Sequence, residues 1–144
     1  MPAGDVVVFL YNPFGAGILS RVIANIEAAL ADGPKYFQEL MAATGSRDGS
    51  VRLWSLATGE EIRKLTGKFS EVRCLAFSPD GRTLATVAGT SRYVWLWNPS
   101  TGKIVQKITD QSRYLNDAPR CVTFFPDGKY LAATWEHGGV TVWY

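Results

Sequence analysis

The residues with the most chemistry to offer are few. His137 is the one histidine of the chain and stands beside Glu136 in the loop Glu136-His137-Gly138-Gly139. A histidine next to a carboxylate has the residue types of a general base and its orienting partner, whereas two following glycines suit a plain tight turn. A Ser-His-Asp triad needs several convergent groups, and one histidine among scattered serines does not assemble them. Cys74 and Cys121 are the two cysteines. They read either as a redox pair or as buried reduced fillers, the common role of cysteine in a core. Two cysteines cannot build a disulfide framework, and with one histidine they leave a protein-only zinc site short of ligands. There is no phosphate-cradling loop. The expectation is a protein that is not an enzyme, with no catalytic, metal or cofactor-binding residues and no cofactor.

Fifteen Lys+Arg against thirteen Asp+Glu in 144 residues leave a net charge of +2, too small to imply nucleic acid or an anionic membrane surface as a partner. The charge divides unevenly: residues 1–40 carry two basic and four acidic groups, residues 41–144 thirteen and nine. The apolar stretch Val6–Leu10 is too short to span a bilayer, and the start lacks the basic residues of a secretory signal, so a cytoplasmic location is expected. Hydrophobic residues at 47% and charged ones at 19% mark an ordinary globular composition. Five Trp, six Tyr and seven Phe require a periodic explanation.

That explanation is an internal repeat. SRDGSVRLWSLATGE (46–60), TSRYVWLWNPSTGK (90–103) and EHGGVTVWY (136–144) align on Trp54, Trp97 and Trp143, which lie 43 and 46 residues apart. Upstream of the second and third stand VRCLAFSPDGRTLAT (72–86) and PRCVTFFPDGKYLAAT (119–134), whose Asp80-Gly81 and Asp127-Gly128 are 47 residues apart. Apolar residues alternate at period two through Val72, Cys74 and Ala76 and through Val140 and Val142, which is strand patterning. Pro-Asp-Gly suits a tight turn: Pro presets φ, Asp bonds its own backbone and Gly tolerates positive φ. Thr58-Gly59 and Ser100-Thr101-Gly102 mark a second hairpin in the same way. The complete copy predicts strands at Val72–Phe77, Leu84–Gly89, Tyr93–Trp97 and Lys103–Thr109. The first copy predicts Met41–Ser46, Ser50–Ser55 and Glu61–Thr66. Four short antiparallel strands in such a period make a propeller blade.

Residues 42–144 resemble the WD-repeat (Trp-Asp repeat) β-propellers. The likeness rests on LAFSPDG (75–81) with TLAT (83–86), on SRDGSVRLW (46–54), on VWLWNPSTGK (94–103) and on VTFFPDGKYLAAT (122–134). It assigns structural repeat roles to Asp48, Trp54, Asp80, Gly81, Trp97, Asp127, Gly128 and Trp143. The Trp-Asp dipeptide itself is absent: the pairs are Trp54-Ser55, Trp97-Asn98 and Trp143-Tyr144. The structural Asp before the third strand is matched by Asp48, while Ser91 and His137 hold the equivalent places. The family's buried Asp–His–Ser/Thr–Trp network is therefore expected to be incomplete. Equal repeat positions put Cys74 and Cys121 on inward strands of adjacent blades. With three strands in the last copy, the count is about two and a half blades, against roughly four to eight in closed propellers. Bare blade faces are a solubility liability, so either other copies of the chain complete the ring or the ends are otherwise capped.

Residues 5–40 break the repeat. Asp5–Tyr11 has strand length, Asn12-Pro13-Phe14-Gly15 has turn chemistry, and Ile18, Leu19, Val22, Ile23, Ile26, Ala29 and Leu30 follow helical spacing up to Asp32-Gly33-Pro34. VVFLYNPFG with that helix resembles one strand–helix unit of class I S-adenosylmethionine-dependent methyltransferases, in which an Asn/Asp-Pro-Pro-aromatic motif sits beside the substrate. Asn12-Pro13-Phe14 matches it in part, but the glycine-rich cofactor loop and its downstream acidic residue are missing. The unpartnered helix face must cover something, and Val6–Tyr11 is placed to fill the missing innermost strand of the first blade.

Taken together, the expected fold is mainly β: a partial propeller over 41–144, preceded by a strand–turn–helix appendage over 1–40. The resemblance implies a non-catalytic protein-interaction scaffold that binds other proteins and completes its propeller as a homo-oligomer. The alternatives are a methyltransferase remnant fused to blades, or a fragment or engineered chimera without a cellular role. Arg47, Arg52, Arg73, Arg92, Arg113 and Arg120 recur at turns and strand edges, as a solvated surface or as a rim for acidic partners. In the non-repeating segment DQSRYLNDAP (110–119), Arg113, Tyr114 and Leu115 are the expected partner contacts.

Overall fold

Alternation of side chains across short strands decides how this chain packs. The computed structural model describes residues 8–11, 41–56, 58–67, 70–89, 91–112 and 117–144, the first of these through its backbone. Among the described residues, eleven strands form three sheets. The first holds β1 (Val8–Tyr11), β2 (Met41–Gly45), β3 (Ser50–Ser55) and β4 (Glu61–Thr66), in that order. The second holds β5 (Val72–Phe77), β6 (Leu84–Ala88), β7 (Val94–Asn98) and β8 (Lys103–Ile108), also in chain order. The third holds β9 (Pro119–Phe124), β10 (Leu131–Trp135) and β11 (Val140–Trp143). From β2 onward, neighbours within a sheet are antiparallel. This is a partial β-propeller.

The strand limits follow from turn chemistry. Gly89 leaves β6 because its N–H bonds Glu71 O at 2.7 Å. The expected start at Tyr93 moves to Val94 because the Tyr93 N–H belongs to a turn and donates to Ser91 Oγ at 3.2 Å. Asp80 Oδ1 accepts from Arg82 N, and Asp127 Oδ1 from Lys129 N, both at 3.0 Å. Gly81 and Gly128 then take φ of 69°, which a side chain would oppose.

The strand expected to fill the first blade does so, in an unexpected direction. β1 lies beside β2, in the place β5 and β9 take in their own sheets, but it runs parallel, with Val8 opposite Ala42 and Tyr11 opposite Gly45. The turn at 12–15 and the helix expected over 18–30 lie outside the described residues.

Two apolar layers join the sheets. Between the first and second, Ala43, Val51, Leu53 and Leu65 meet Val72, Leu75, Phe77, Leu84, Trp95 and Trp97. Between the second and third, Ala76, Ala85, Val87 and Val94 meet Val122, Leu131 and Ala133. Alternate positions of β6 and β7 thus serve opposite layers, as a two-residue period requires, and in β5 the alternation holds from Cys74 onward, after a bulge between Val72 and Cys74. The first layer is tight at its inner edge: a Cβ on Gly45 would lie 2.4 Å from Val72 Cγ1. At that edge Val72 N donates to Ser46 O of the neighbouring sheet at 3.1 Å.

Candidate functional site

The repeat tryptophans occupy one register. Trp54 stands opposite Ala42, Trp97 opposite Leu84 and Trp143 opposite Leu131. Two residues further along the facing strand, Thr44 Oγ1 accepts the Trp54 indole N–H at 3.0 Å and Thr86 Oγ1 accepts that of Trp97 at 2.9 Å. In the third sheet this position is Ala133, which offers no hydroxyl. The two threonines were not singled out from sequence, although the shared phrase before the strand carried the signal. LAT (84–86) and LAAT (131–134) look alike, but the extra alanine moves Thr134 to the other face of the strand, where it is exposed. A bulge recurs beside the tryptophan, between Leu53 and Trp54 and between Leu96 and Trp97.

The turn positions that the family pattern assigns to its network hold three different arrangements in the three sheets. Asp48 accepts from Ser50 N at 2.9 Å and from Ser50 Oγ at 2.7 Å. These bonds, the hydroxyl first, hold its carboxyl down at about 2. Ser91, at the equivalent place, accepts from Tyr93 N and from the Trp95 indole N–H at 3.0 Å. His137, at the third, donates its backbone N–H to Asp117 Oδ1 at 3.1 Å, and its Nδ1 lies equally close to the same oxygen. Asp117 is buried. His137 is thus tied into a turn, and its carboxylate partner is Asp117 rather than Glu136. In the Pro-Asp-Gly turn, Asp80 takes a 2.6 Å bond from Ser78 Oγ, and that bond leads in lowering its carboxyl. Phe125 occupies the Ser78 place in the third sheet and packs on Tyr130 instead.

The turns at 46–49 and 136–139 and the starts of β5 and β9 share one end of the sheets. Here the recurring arginines meet carboxylates. Arg47 lies 4.0 Å from Glu71, and Glu136 lies 3.8 Å from Arg73 and 3.4 Å from Arg120. Glu136 therefore bridges the second and third sheets. Arg52 pairs with Glu61 within the first sheet. The Arg92 Nε atom is buried without a hydrogen-bond partner. Exposed pairs of this kind add about 0–1 kcal/mol each, and they leave this end of mixed charge. Arg113, Tyr114 and Leu115 lie outside the described residues. Among the described residues no cluster of three metal-ligating side chains occurs.

Cys74 and Cys121 do lie on the inner strands of neighbouring sheets, β5 and β9, with their Sγ atoms 2.8 Å apart. The expectation of two buried fillers fails: Cys74 is half-buried and Cys121 exposed, and among the described residues no further sheet packs on the outer side of β9. Burial first, and the Cys121 contact second, push the Cys74 thiol up to about 12.

Comparison with known proteins agrees with this geometry. The family model "WD domain, G-beta repeat" matches residues 32–55 and 59–98. The chain is 33% identical to the Protein LST8 homolog of Drosophila melanogaster over 127 residues, which is 84% of this chain and 39% of that protein. It is 35% identical to Nuclear distribution protein PAC1 of Mycosarcoma maydis over 83 residues, 57% of this chain and 18% of that one. It superimposes on the β-propeller domain of Cps50 (Swd1) from Myceliophteria thermophila with a TM-score of 0.58 at 25% identity, covering 69% of this chain and 30% of that structure. The chain thus spans well under half the length of each of these relatives. The match at 32–55 and 59–98, with the propeller neighbour, identifies the chain as a WD-repeat β-propeller fragment.

Proposed function

We propose that this chain is a non-catalytic protein-interaction scaffold whose third blade docks a further blade, supplied by a second copy of the chain. One comparison between repeats carries the reading. Val51 and Val94 hold the same repeat position in the first and second blades, and both are 0% exposed beneath the following blade. Val140 holds that position in the third blade and is 60% exposed, with Val142 on the same strand at 50%. Among the described residues, this apolar face of the third blade has no blade beside it, and β11 pairs with β10 alone. Exposed apolar strands of this kind are pairing surfaces. The rigid blade stack also fixes the mixed-charge end at Arg47, Glu71, Arg73, Arg120 and Glu136, which suits contacts with charged protein surfaces.

Light scattering on the size-separated chain tests the docking. The expected result is a concentration-dependent mass above that of one copy, restored to one copy by Val140→Lys with Val142→Lys. A single-copy mass at every concentration would remove the second copy as the occupant.

A further inference from the structure

We propose that Cys74 and Cys121 form an oxidant-driven cross-link site that staples the second blade to the third. The thiols come from inner strands of different sheets, are 47 residues apart in the chain and stand 2.8 Å apart in space. A disulfide bond needs ~2.05 Å between its sulfurs, so bond formation calls for a small approach and no change of strand order. The backbone of Val122 holds the half-buried sulfur in place: its N–H donates to Cys74 Sγ at 3.4 Å, and its carbonyl accepts from Cys74 Sγ at 3.6 Å. Cys121 is the exposed partner and opens onto a shallow apolar depression of about 60 Å³ lined also by Thr123, Ala132 and Thr134.

This asymmetry divides the roles. The oxidant is hydrogen peroxide, which reaches exposed Cys121 from solvent in the single, undocked chain. The Cys121 thiolate attacks one peroxide oxygen, the O–O bond breaks, and the leaving oxygen departs as water after taking a proton. The sulfenic acid at Cys121 is then attacked by Cys74 Sγ. The S–S bond forms, the S–O bond breaks, and the hydroxyl leaves as water with the Cys74 proton. Two thiols lose two electrons in all, and the peroxide oxygens become two waters. A thiol raised to about 12 is a poor first nucleophile in neutral solution, but within contact of a sulfenic sulfur Cys74 is the resolving group. The link closes a long loop, which restrains the unfolded chain.

Dilute full chain treated with hydrogen peroxide, then alkylated and weighed intact, tests the site. The expected product is a single chain two hydrogens lighter, with neither cysteine alkylated and a melting temperature several degrees higher. Cys121→Ser should leave Cys74 alkylatable. Cys74→Ser should let a sulfenic-acid trap label Cys121. Should Cys74→Ser fail to fold, the exposed-site variant and the untreated chain still decide the matter. Two alkylatable thiols after peroxide, or cross-links found only between chains, would overturn the proposal.

Discussion

The second and third blades share a sequence pattern and differ in what surrounds them. In the second, both faces are buried: Leu75, Phe77, Leu84 and Trp97 point to the first blade, and Ala76, Ala85, Val87 and Val94 to the third. In the third, Val122, Leu131 and Ala133 point inward, while Val140 and Val142 on the last strand stay exposed. Equal residues at equal repeat positions thus differ in energetic weight. A repeat stabilises mainly through its interfaces, so a blade with one interface holds a smaller share of the stability.

The largest test of this contrast is truncation of the tryptophans. Trp97→Ala should cost about 3–5 kcal/mol, a buried aromatic lost with its cavity unfilled, whereas Trp143→Ala should cost only about 1–2 kcal/mol because its face is half-covered. Urea unfolding of the two variants checks the order, and equal losses would break the contrast. Next comes the inter-blade seam. Gly45→Ala should destabilise by about 1–3 kcal/mol, since the added methyl must displace Val72 from an overfilled site. The same substitution at Gly138, where an added Cβ meets no atom within 4 Å, meets only the backbone resistance of its positive φ of 89°.

Smaller effects sharpen the comparison at single hydrogen bonds. Thr86→Val should cost about 1–3 kcal/mol by stranding the buried Trp97 indole N–H. Ala133→Thr, which offers Trp143 a hydroxyl at the position that Thr44 and Thr86 hold in the other blades, should gain about 0.5–1.5 kcal/mol. Thermal melts of both, read at Tm, should move in opposite directions. The smallest expected effect is acid sensitivity of the first blade's turn. Asp48 has its carboxyl lowered from 3.8 to about 2 in the folded chain, so folding favours the ionised form. Its contribution is complete above pH 3.8 and fades as pH falls toward 2. Asp48→Asn should flatten stability against pH in that window, with a modest amplitude because the side chain is exposed.

How much could be read in advance differed by position. Asp80-Gly81 and Asp127-Gly128 were legible because a tight turn imposes its demands on adjacent residues. Trp54, Trp97 and Trp143 were legible because blade spacing repeats along the chain. Thr44 and Thr86 were not, since their meaning lies in a partner across a strand pair and one inserted alanine changes the face. Glu136 read as a neighbour of His137, yet it turns to Arg73 on another blade. Cys121 read as a core residue by analogy with Cys74, and its exposure depends on which blades flank it. The expected filling of the first blade by the leading strand was right in place, while its parallel direction was invisible to apolar patterning, which is the same read either way.

Local rules alone therefore determined the strands, their hairpins and their grouping into blades, because period-two burial and turn residues act over a few bonds. Only the tertiary structure decided which blade faces are covered, which threonine each indole reaches and which two sulfurs meet. The indole–threonine bonds depend on the register of two paired strands, and the covered faces and the sulfur contact arise between blades more than forty residues apart in the chain, where proximity is set by how the sheets stack and not by neighbouring residues.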